Sequence, residues 1–221
     1  DVCSSDLASL LTSQMVGIGT AQLASMTTDQ IDALSTAQLA ALRAEQFRSL
    51  TPTQIAAMLT DQVRGLTTKA LVTLTSDQVQ AFTADQIGAL TLEQIAALRT
   101  TSVSVLTTDQ IAALTTDQVA AMTASEIRSL TSTQLLGFST AQIAAIETRD
   151  LAALSSDQLN ALATEQVAAF TTDQVAALTT GQLAALDGSR LVALTSDQIA
   201  ALTTRQVRSL TTDQVGDRKS T

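Results

Sequence analysis

The sequence predicts an all-α solenoid in which each eight-residue repeat forms one short helix of two turns. Three observations predict this fold: a repeat that never drifts, apolar residues at two fixed positions, and capping residues where each helix would begin. The repeat is clearest in residues 106–121, which read LTTDQIAA and then LTTDQVAA. We number its positions 1 (Leu), 2 (Thr), 3 (variable), 4 (Asp), 5 (Gln), 6 (Ile or Val), 7 and 8 (Ala). A fixed period indicates copies that stack on one another to bury a continuous core.

Positions 6 and 1 carry large apolar residues in every copy. Position 6 runs from Leu7 to Val215 and position 1 from Leu10 to Leu210, without insertion or deletion. One long helix is excluded, because eight residues at about 3.6 per turn rotate the apolar pair by roughly 80° per copy. A strand is excluded as well. The apolar residues are separated by five and then by three residues, both odd numbers, so positions 1 and 6 would lie on opposite faces of a strand, and each would change face from one copy to the next. A short helix and a turn in each copy remain.

The polar residues place the helix start at position 2. Pro52 is favoured at a first helical position, so Thr51 is predicted as an N-cap, and the same frame applies to the other copies. Position 5 is then N3, where Gln completes a capping box with the position 2 hydroxyl. Acidic residues at position 4 meet the positive end of the helix dipole. In the copy with Leu59 at position 2, Thr60 is an alternative cap.

Helices this short are marginal alone, so the copies must stack. Position 8 is nearly always Ala, Ser or Gly, and we expect it to face a close helix contact, whereas position 7 accepts charged residues and should face water. Four arginines occupy position 7 at separations that are multiples of 16 residues, which suggests that two helices form one structural unit. These are Arg48, Arg64, Arg128 and Arg208.

Along the chain, residues 1–19 are a degenerate start, residues 20–215 a regular solenoid forming one quasi-linear domain, and residues 216–221 a polar, frayed tail. In the start, Asp6 stands where Gln is expected, and Leu11 and Gly19 replace the cap. The weakest later copy is 99–106, RTTSVSVL, where we expect an irregularity or a bend. Because the chain begins with Asp, we expect a piece of a longer protein. Cys3 is the only cysteine, so stability must come from stacking.

Composition narrows the function. The sequence has no His, Trp or Tyr, a net charge of −9 and a pI near 4.3. A His-based general base or metal site is excluded, and a nucleic acid partner is disfavoured without a basic surface. No apolar run is long enough to span a membrane. We therefore expect no enzyme, no small-molecule substrate, no cofactor, and no catalytic, cofactor-binding or metal-ligating residues.

Two resemblances bear on function. Residues 50–58, LTPTQIAAM, resemble the opening of the TAL effector repeat. The match covers nine residues, and the longer period, the base-reading pair and the basic character are missing, so DNA reading is not implied. Residues 105–122, together with most of the chain, resemble the ALTTDQIAALTTDQVAAL arrays of large proteobacterial proteins grouped as secreted or cell-surface adhesin-like. This resemblance implies export and protein or cell-surface partners; the haem label of some such proteins has no supporting His or Tyr here.

The resulting hypothesis is a structural repeat region, acting as a stalk, spacer or protein-interaction scaffold in a larger exported bacterial surface protein. The alternative is a binding module in which rows of Thr hydroxyls recognise a repetitive surface such as ice or polysaccharide. Position 2 hydroxyls are already used as caps, so that alternative depends mainly on position 3. The position 3 threonines include Thr28, Thr108, Thr116, Thr172 and Thr204.

Overall fold

The computed structural model describes residues 7–217, and within them it contains helices and turns but no strand. Twenty-six helices have both bounds in this range, one for each eight-residue repeat. The chain divides into two compact units, Asp1–Ala113 and Leu114–Thr221. The predicted all-α solenoid with one short helix per repeat is confirmed.

Each unit contains thirteen of these helices. In the first unit they are α1 (Thr12–Met15), α2 (Thr20–Ala24), α3 (Thr28–Asp32), α4 (Thr36–Ala40), α5 (Ala44–Arg48), α6 (Pro52–Ala57), α7 (Thr60–Arg64), α8 (Thr68–Leu71), α9 (Ser76–Ala81), α10 (Ala84–Ala89), α11 (Leu92–Ala96), α12 (Thr100–Val103) and α13 (Thr108–Ala112). In the second unit they are α14 (Thr116–Ala121), α15 (Ala124–Ser129), α16 (Ser132–Leu136), α17 (Thr140–Ala145), α18 (Thr148–Leu151), α19 (Ser156–Ala161), α20 (Thr164–Ala168), α21 (Thr172–Ala177), α22 (Thr180–Ala185), α23 (Gly188–Ala193), α24 (Ser196–Ala200), α25 (Thr204–Ser209) and α26 (Thr212–Asp217).

Two extended residues, at positions 1 and 2, connect one helix to the next. Met122 ends α14 with φ −65° and ψ 146°, and Thr123 caps α15 with φ −86° and ψ 159°. Neither conformation needs glycine, and no residue in the described range has a positive φ. An eight-residue repeat can therefore close every turn with ordinary side chains.

The predicted capping box forms in most copies. The Thr107 hydroxyl accepts from the N–H of Gln110 at 3.2 Å, and the Thr107 N–H donates to Gln110 Oε1 at 2.9 Å. The alternative cap at Thr60 is wrong: α7 begins at Thr60, and Leu59 is the N-cap without a side-chain bond. The Leu59 N–H still donates to Gln62 Oε1 at 2.8 Å. The Gln side chain therefore keeps the helix start at the same repeat position when the cap hydroxyl is missing.

The apolar positions form the core, as predicted. Position 6 is buried from Leu7 to Leu191, and most position 1 side chains from Leu34 to Leu194 are buried too. Exceptions gather near the ends of the described range. Val207 and Val215, both at position 6, are 51% and 48% exposed.

Stacking does not follow a two-helix unit. Inside the first unit α3 packs against α6 and α6 against α9, and inside the second α15 packs against α18 and α16 against α19. Hydrogen bonds reach one copy further, for example from Gln54 in α6 to carbonyls at the end of α2. One coil therefore takes between three and four helices. The two-helix unit predicted from the spacing of the position 7 arginines is wrong, because those side chains lie outside the core that determines how many helices form one coil.

Positions 7 and 8 behave as expected in part. A Cβ added at Gly65, at position 8, would lie 1.8 Å from Thr36 Cγ2 on the third helix before it, so this position does face a close contact. Position 7 is exposed or half-buried in most copies. However, Arg64 and Arg128 donate to the carbonyls of Ala89 and Ala153, each 25 residues later, at 3.5 and 3.3 Å. These position 7 side chains hold neighbouring helices as well as facing water.

The copies whose sequences depart most from the repeat still form helices like those of the other copies. Helix α12, in the weakest copy, has four residues, Thr100–Val103, and Leu98 before it is half-buried, so the expected irregularity is a shortened helix. In the degenerate start, α1 forms a helix of four residues, and Gly19 is the N-cap of α2. The last helix extends to Asp217, two residues into the segment assigned to the tail. Cys3, Asp6 and residues 218–221 lie outside the described residues.

Candidate functional site

The most developed polar feature of the protein is the buried glutamine at position 5. Gln110 is 2% exposed. Its Oε1 accepts from the cap N–H of its own helix, while its Nε2 donates to the carbonyls of Val79 at 2.9 Å and Phe82 at 2.7 Å. The acceptors lie at position 6 of the copy four repeats earlier and at position 1 of the copy that follows it. A single amide thus satisfies a helix N-terminus and a helix C-terminus that are distant in sequence.

The same bonding pattern recurs along both units, and we call it the glutamine spine. In the spine, Nε2 donates to carbonyls 31 and 28 residues earlier. Residues that make both bonds are Gln38, Gln46, Gln54, Gln62, Gln86, Gln94, Gln110, Gln166, Gln174, Gln182, Gln206 and Gln214. Because a buried unpaired amide would be costly, each residue of the spine fixes both the frame of a helix and its partner.

The sequence analysis found the cap but missed the spine. A signal was present: Glu completes a capping box as well as Gln does, yet position 5 is almost always Gln. Only the amide has N–H donors to spare after the cap is made. The strong preference for Gln therefore indicated a second set of acceptors, but not where along the chain they lie.

Some copies replace the amide with another donor. Arg190 occupies position 5, and its Nε donates to the carbonyl of Leu162, 28 residues earlier, at 2.9 Å. The Asp187 carboxylate accepts from the Arg190 guanidinium at 2.6 Å. In α12, Ser102 is too short to reach, and Arg99 of the same copy donates to the carbonyl of Leu74 at 3.1 Å instead. The carbonyl at the end of the distant helix still receives a charge-assisted hydrogen bond in both cases.

Two carboxylic acids occupy position 5 in neighbouring helices of the second unit, Glu126 in α15 and Asp150 in α18. They are 2% and 1% exposed, and we call them the buried acid pair. Glu126 Oε2 accepts from the N–H and hydroxyl of Thr123 at 2.6 and 2.8 Å. Glu126 Oε1 and Asp150 Oδ1 are buried without a hydrogen-bond partner. Arg149 Nε lies 3.4 Å from Asp150 Oδ1, close enough for ionic attraction but without hydrogen-bond geometry.

Burial determines the protonation of this pair. Burial raises the pKa of the Glu126 carboxyl; the Thr123 hydrogen bonds oppose the shift and the nearby Asp150 adds to it. Burial also raises the pKa of Asp150, with Arg149 opposing and Glu147 adding. A desolvated acid favours its neutral form. The pair can therefore take up protons on acidification, which no regular copy can do at its amide.

The outer surface carries the cap hydroxyls and acidic residues. Asp109, Asp117 and Asp173 are exposed in the first turns of their helices, as dipole compensation predicts. The five threonines singled out at position 3, Thr28, Thr108, Thr116, Thr172 and Thr204, are all exposed. Within residues 7–217 no group of three or more His, Cys, Asp and Glu side chains is arranged to hold a metal ion. No helix described there is long and apolar enough to cross a membrane.

The first unit also has an open cleft of about 590 Å³, formed by α5, α9 and α12 with the turns beside them. Arg48, Arg99 and Glu45 all line it, so its charges are mixed. Ser102, which replaces Gln in this copy, also lines the cleft and is 3% exposed. The cleft marks a copy in which the spine is missing.

The repeat matches a known sequence family. A model of the ALTTAQ repeat matches six segments of the chain: 4–36, 31–60, 55–92, 92–124, 143–180 and 180–212. The chain belongs to the ALTTAQ repeat family. Residues 125–142 fall outside the matches and include Glu126, yet α15 and α16 keep the packing of the ALTTAQ copies around them. No curated protein matches the chain.

Proposed function

We propose that this structural repeat region is a non-catalytic spacer or interaction scaffold within a larger protein that bacteria export to the cell surface. The observation that carries the proposal is the glutamine spine. Each residue of the spine donates the same two hydrogen bonds to carbonyls 31 and 28 residues earlier, so length can change by whole repeats without a new core or a new loop. A spacer needs this property and an active site does not.

Two further observations support a structural role. The groups that recur in every regular copy are a hydroxyl, an amide and two apolar side chains. They form the caps, the spine and the core inside the fold. What reaches the surface is a changing set of side chains at positions 3, 4 and 7, in which Thr, Asp, Ala and Arg are frequent. A scaffold of this kind binds partners through its exposed surface and leaves its framework unchanged. Export and surface location rest on the resemblance to adhesin-like repeat arrays.

The spacer proposal predicts that length is additive. Four copies of residues 171–178, TTDQVAAL, inserted after Phe170 would preserve the four-copy spacing of the spine inside the second unit. We expect small-angle X-ray scattering to show a larger maximum dimension after one such block, and the same increase again after a second. An insertion of two copies gives a smaller step and serves as the calibration. A maximum dimension that stays constant while the mass grows would rule out a spacer.

Export is tested separately. An antibody against this chain should label intact cells of a bacterium that carries the gene as strongly as permeabilised cells. Brief treatment of intact cells with protease should remove the signal, while a cytoplasmic protein serves as the control for lysis. Labelling that requires permeabilisation would refute export and leave the structural role standing.

A second candidate function is a threonine surface that recognises ice or a polysaccharide. The exposure of the position 3 threonines favours it, because their hydroxyls are not used as caps. In the second unit Thr172 and Thr204 lie four repeats apart, the same spacing at which Gln206 of α25 donates to the carbonyl of Val175 in α21. Thermal hysteresis or glycan-array binding by the whole chain, lost when both are changed to Ala, would establish it. A chain without either activity would remove this candidate.

A further inference from the structure

The open cleft inside the first unit lies where two copies, four repeats apart, both lack the amide of the spine. Ser102 stands at position 5 of α12, and Ala70 stands at position 5 of α8. A Gln at position 102 would have the carbonyls of Leu71 and Leu74 as its acceptors, 31 and 28 residues earlier, in the register that Gln110 uses in the next copy. Leu74 and Ser102 both line the cleft, so the space is open where that amide is missing.

Three hydroxyl groups that line the cleft are unused by the fold. Ser102 is 3% exposed, and within residues 7–217 its hydroxyl has no hydrogen-bond partner. The fully buried side-chain atoms without a partner in that range are Glu126 Oε1 and Asp150 Oδ1, so the Ser102 oxygen remains accessible from the cleft. The hydroxyls of Ser76 and Thr101 are exposed and also make no hydrogen bond to the described residues. Each of the three can donate to a ligand and accept from it.

Two guanidinium groups line the same cleft and keep donors for a ligand. Arg99 Nη2 donates to the Leu74 carbonyl at 3.1 Å, which holds this side chain in place and leaves most of its N–H groups available. The Arg48 side chain is exposed and forms neither an ion pair nor a hydrogen bond with the described residues. Guanidinium groups bind carboxylate and phosphate through charge-assisted hydrogen bonds, so this pair favours a ligand with an oxyanion.

The rest of the lining adds one acidic acceptor and little apolar surface. Glu45 Oε1 lies 3.7 Å from Arg43 Nη1, and Arg43 does not line the cleft. The charge of Glu45 is therefore partly balanced from outside, and its carboxylate can accept from a ligand hydroxyl without cancelling the two guanidinium groups. The apolar residues that line the cleft are Ala44, Val72 and Leu74. A ligand that suits this lining carries an anionic group and several hydroxyls, and it needs no large apolar surface.

We propose that this cleft binds a small acidic sugar, a molecule rich in hydroxyls that carries one carboxylate or phosphate group. Arg48 and Arg99 hold the anionic group, while Ser76, Thr101 and Ser102 form hydrogen bonds with the sugar hydroxyls. The volume of about 590 Å³ lies within the range of about 300–1,000 Å³ that is usual for small-molecule sites. The site depends on the departure of residues 98–105 from the repeat and not on the spacer role.

Isothermal titration calorimetry on the whole chain tests the proposal with glucuronate, glucose 6-phosphate and glucose. We expect at least one of the two acidic sugars to bind, and glucose to bind about tenfold more weakly or less, because it lacks the anionic group. Binding of glucuronate alone assigns a carboxylate ligand, and binding of glucose 6-phosphate alone assigns a phosphate ligand. If acetate or inorganic phosphate binds as tightly as the sugar with the same anionic group, the hydroxyls contribute nothing and a sugar ligand is ruled out.

Ser102→Gln is the sharpest variant, because it should remove binding without weakening the fold. The new amide would occupy the cleft and donate to the carbonyls of Leu71 and Leu74 in the register of the spine. We expect binding of the acidic sugar to be lost while the melting temperature stays the same or rises. Loss of binding together with an intact fold separates a filled site from an unfolded protein.

Arg48→Ala tests the anionic group at an exposed side chain without a partner among the described residues, so circular dichroism should be unchanged. We expect the Kd for the acidic sugar to rise about tenfold or more, as for the loss of hydrogen bonds to a charged group. Arg208→Ala is the matched control, because Arg208 is also an exposed arginine at position 7 but lies in the second unit, and it should bind as the unmodified chain does. The proposal is overturned if neither acidic sugar binds, if Ser102→Gln or Arg48→Ala leaves binding unchanged, or if the control loses binding equally.

Discussion

Helix α13 in the first unit and helices α15 and α18 in the second differ at one position. Gln110 in α13 accepts at its cap and donates to two distant carbonyls. Glu126 in α15 accepts at its cap but has an oxygen without a partner, and Asp150 in α18 also has one. Yet α15 and α18 pack against each other as regular helices do. The comparison separates two roles: the apolar rows suffice to stack the helices, and the spine adds stability and a fixed partner.

Disrupting the apolar core should cost most and should affect both regions equally. Ile111 of α13 and Ile127 of α15 are each 0% exposed. Changing either to Asp buries a charge without a partner, and we expect a loss of about 4 kcal/mol or more. Thermal unfolding followed by circular dichroism measures the loss. Thr108→Asp, at an exposed position, is the control and should change the melting temperature little. A marked difference between the two core variants would show that the apolar rows do not contribute equally in the two regions.

Converting a regular copy into an acidic one should have the next largest effect. In Gln110→Glu the cap bond survives, but the donor to the Val79 and Phe82 carbonyls is replaced by an oxygen that repels them. We expect a loss of about 2–3 kcal/mol at pH 7, the range for leaving buried polar groups unpaired. The loss should shrink on acidification, because a protonated Glu can donate again.

The control for this conversion is Gln22→Glu, at an exposed position where the side chain oxygen accepts from the Gly19 N–H. Its cost should be smaller and should depend less on pH. A Gln110→Glu protein that unfolds at the unmodified temperature at pH 7 would show that the spine bonds contribute nothing net.

The reverse change, Glu126→Gln, should stabilise the second unit. Burial raises the pKa of the acid, so the folded protein binds a proton more readily than the unfolded chain does. The contribution of Glu126 to stability should therefore be greatest below the ordinary Glu pKa and fall as the pH rises through the folded value. At pH 7 we expect the Gln variant to gain about 1–2 kcal/mol, and near pH 3 to gain little.

Urea unfolding at both pH values measures this difference. Glu165→Gln is the matched control, because Glu165 lies at position 4 on the exposed face and should show no such pH dependence. An equal gain for Glu126→Gln at both pH values would mean that charge is not the cause.

Much of this fold could be predicted from the sequence, since its causes are local. Pro52 fixes the helix start, the unbroken apolar rows fix the buried face, and the hydroxyl and Gln fix the cap. The coil could not be predicted in the same way. That α6 packs against α9 rather than the helix after next depends on how two extended residues turn the chain, which no side-chain pattern records. The acceptors of Gln110 lie 31 and 28 residues away for the same reason.

The smallest expected effect tests whether the two halves of the capping box are independent. Ala163 is the N-cap of α20; it lacks a hydroxyl, while its N–H donates to Gln166 Oε1 at 2.8 Å and Gln166 keeps both distant acceptors. Ala163→Thr should add the missing hydroxyl acceptor for the Gln166 N–H and raise stability by about 0.5–1 kcal/mol. Ala163→Val, of the same shape without the hydroxyl, is the control. A gain for Thr alone would show that the cap adds to the spine, whereas no gain would mean that the Gln side chain by itself fixes where a helix of this repeat begins.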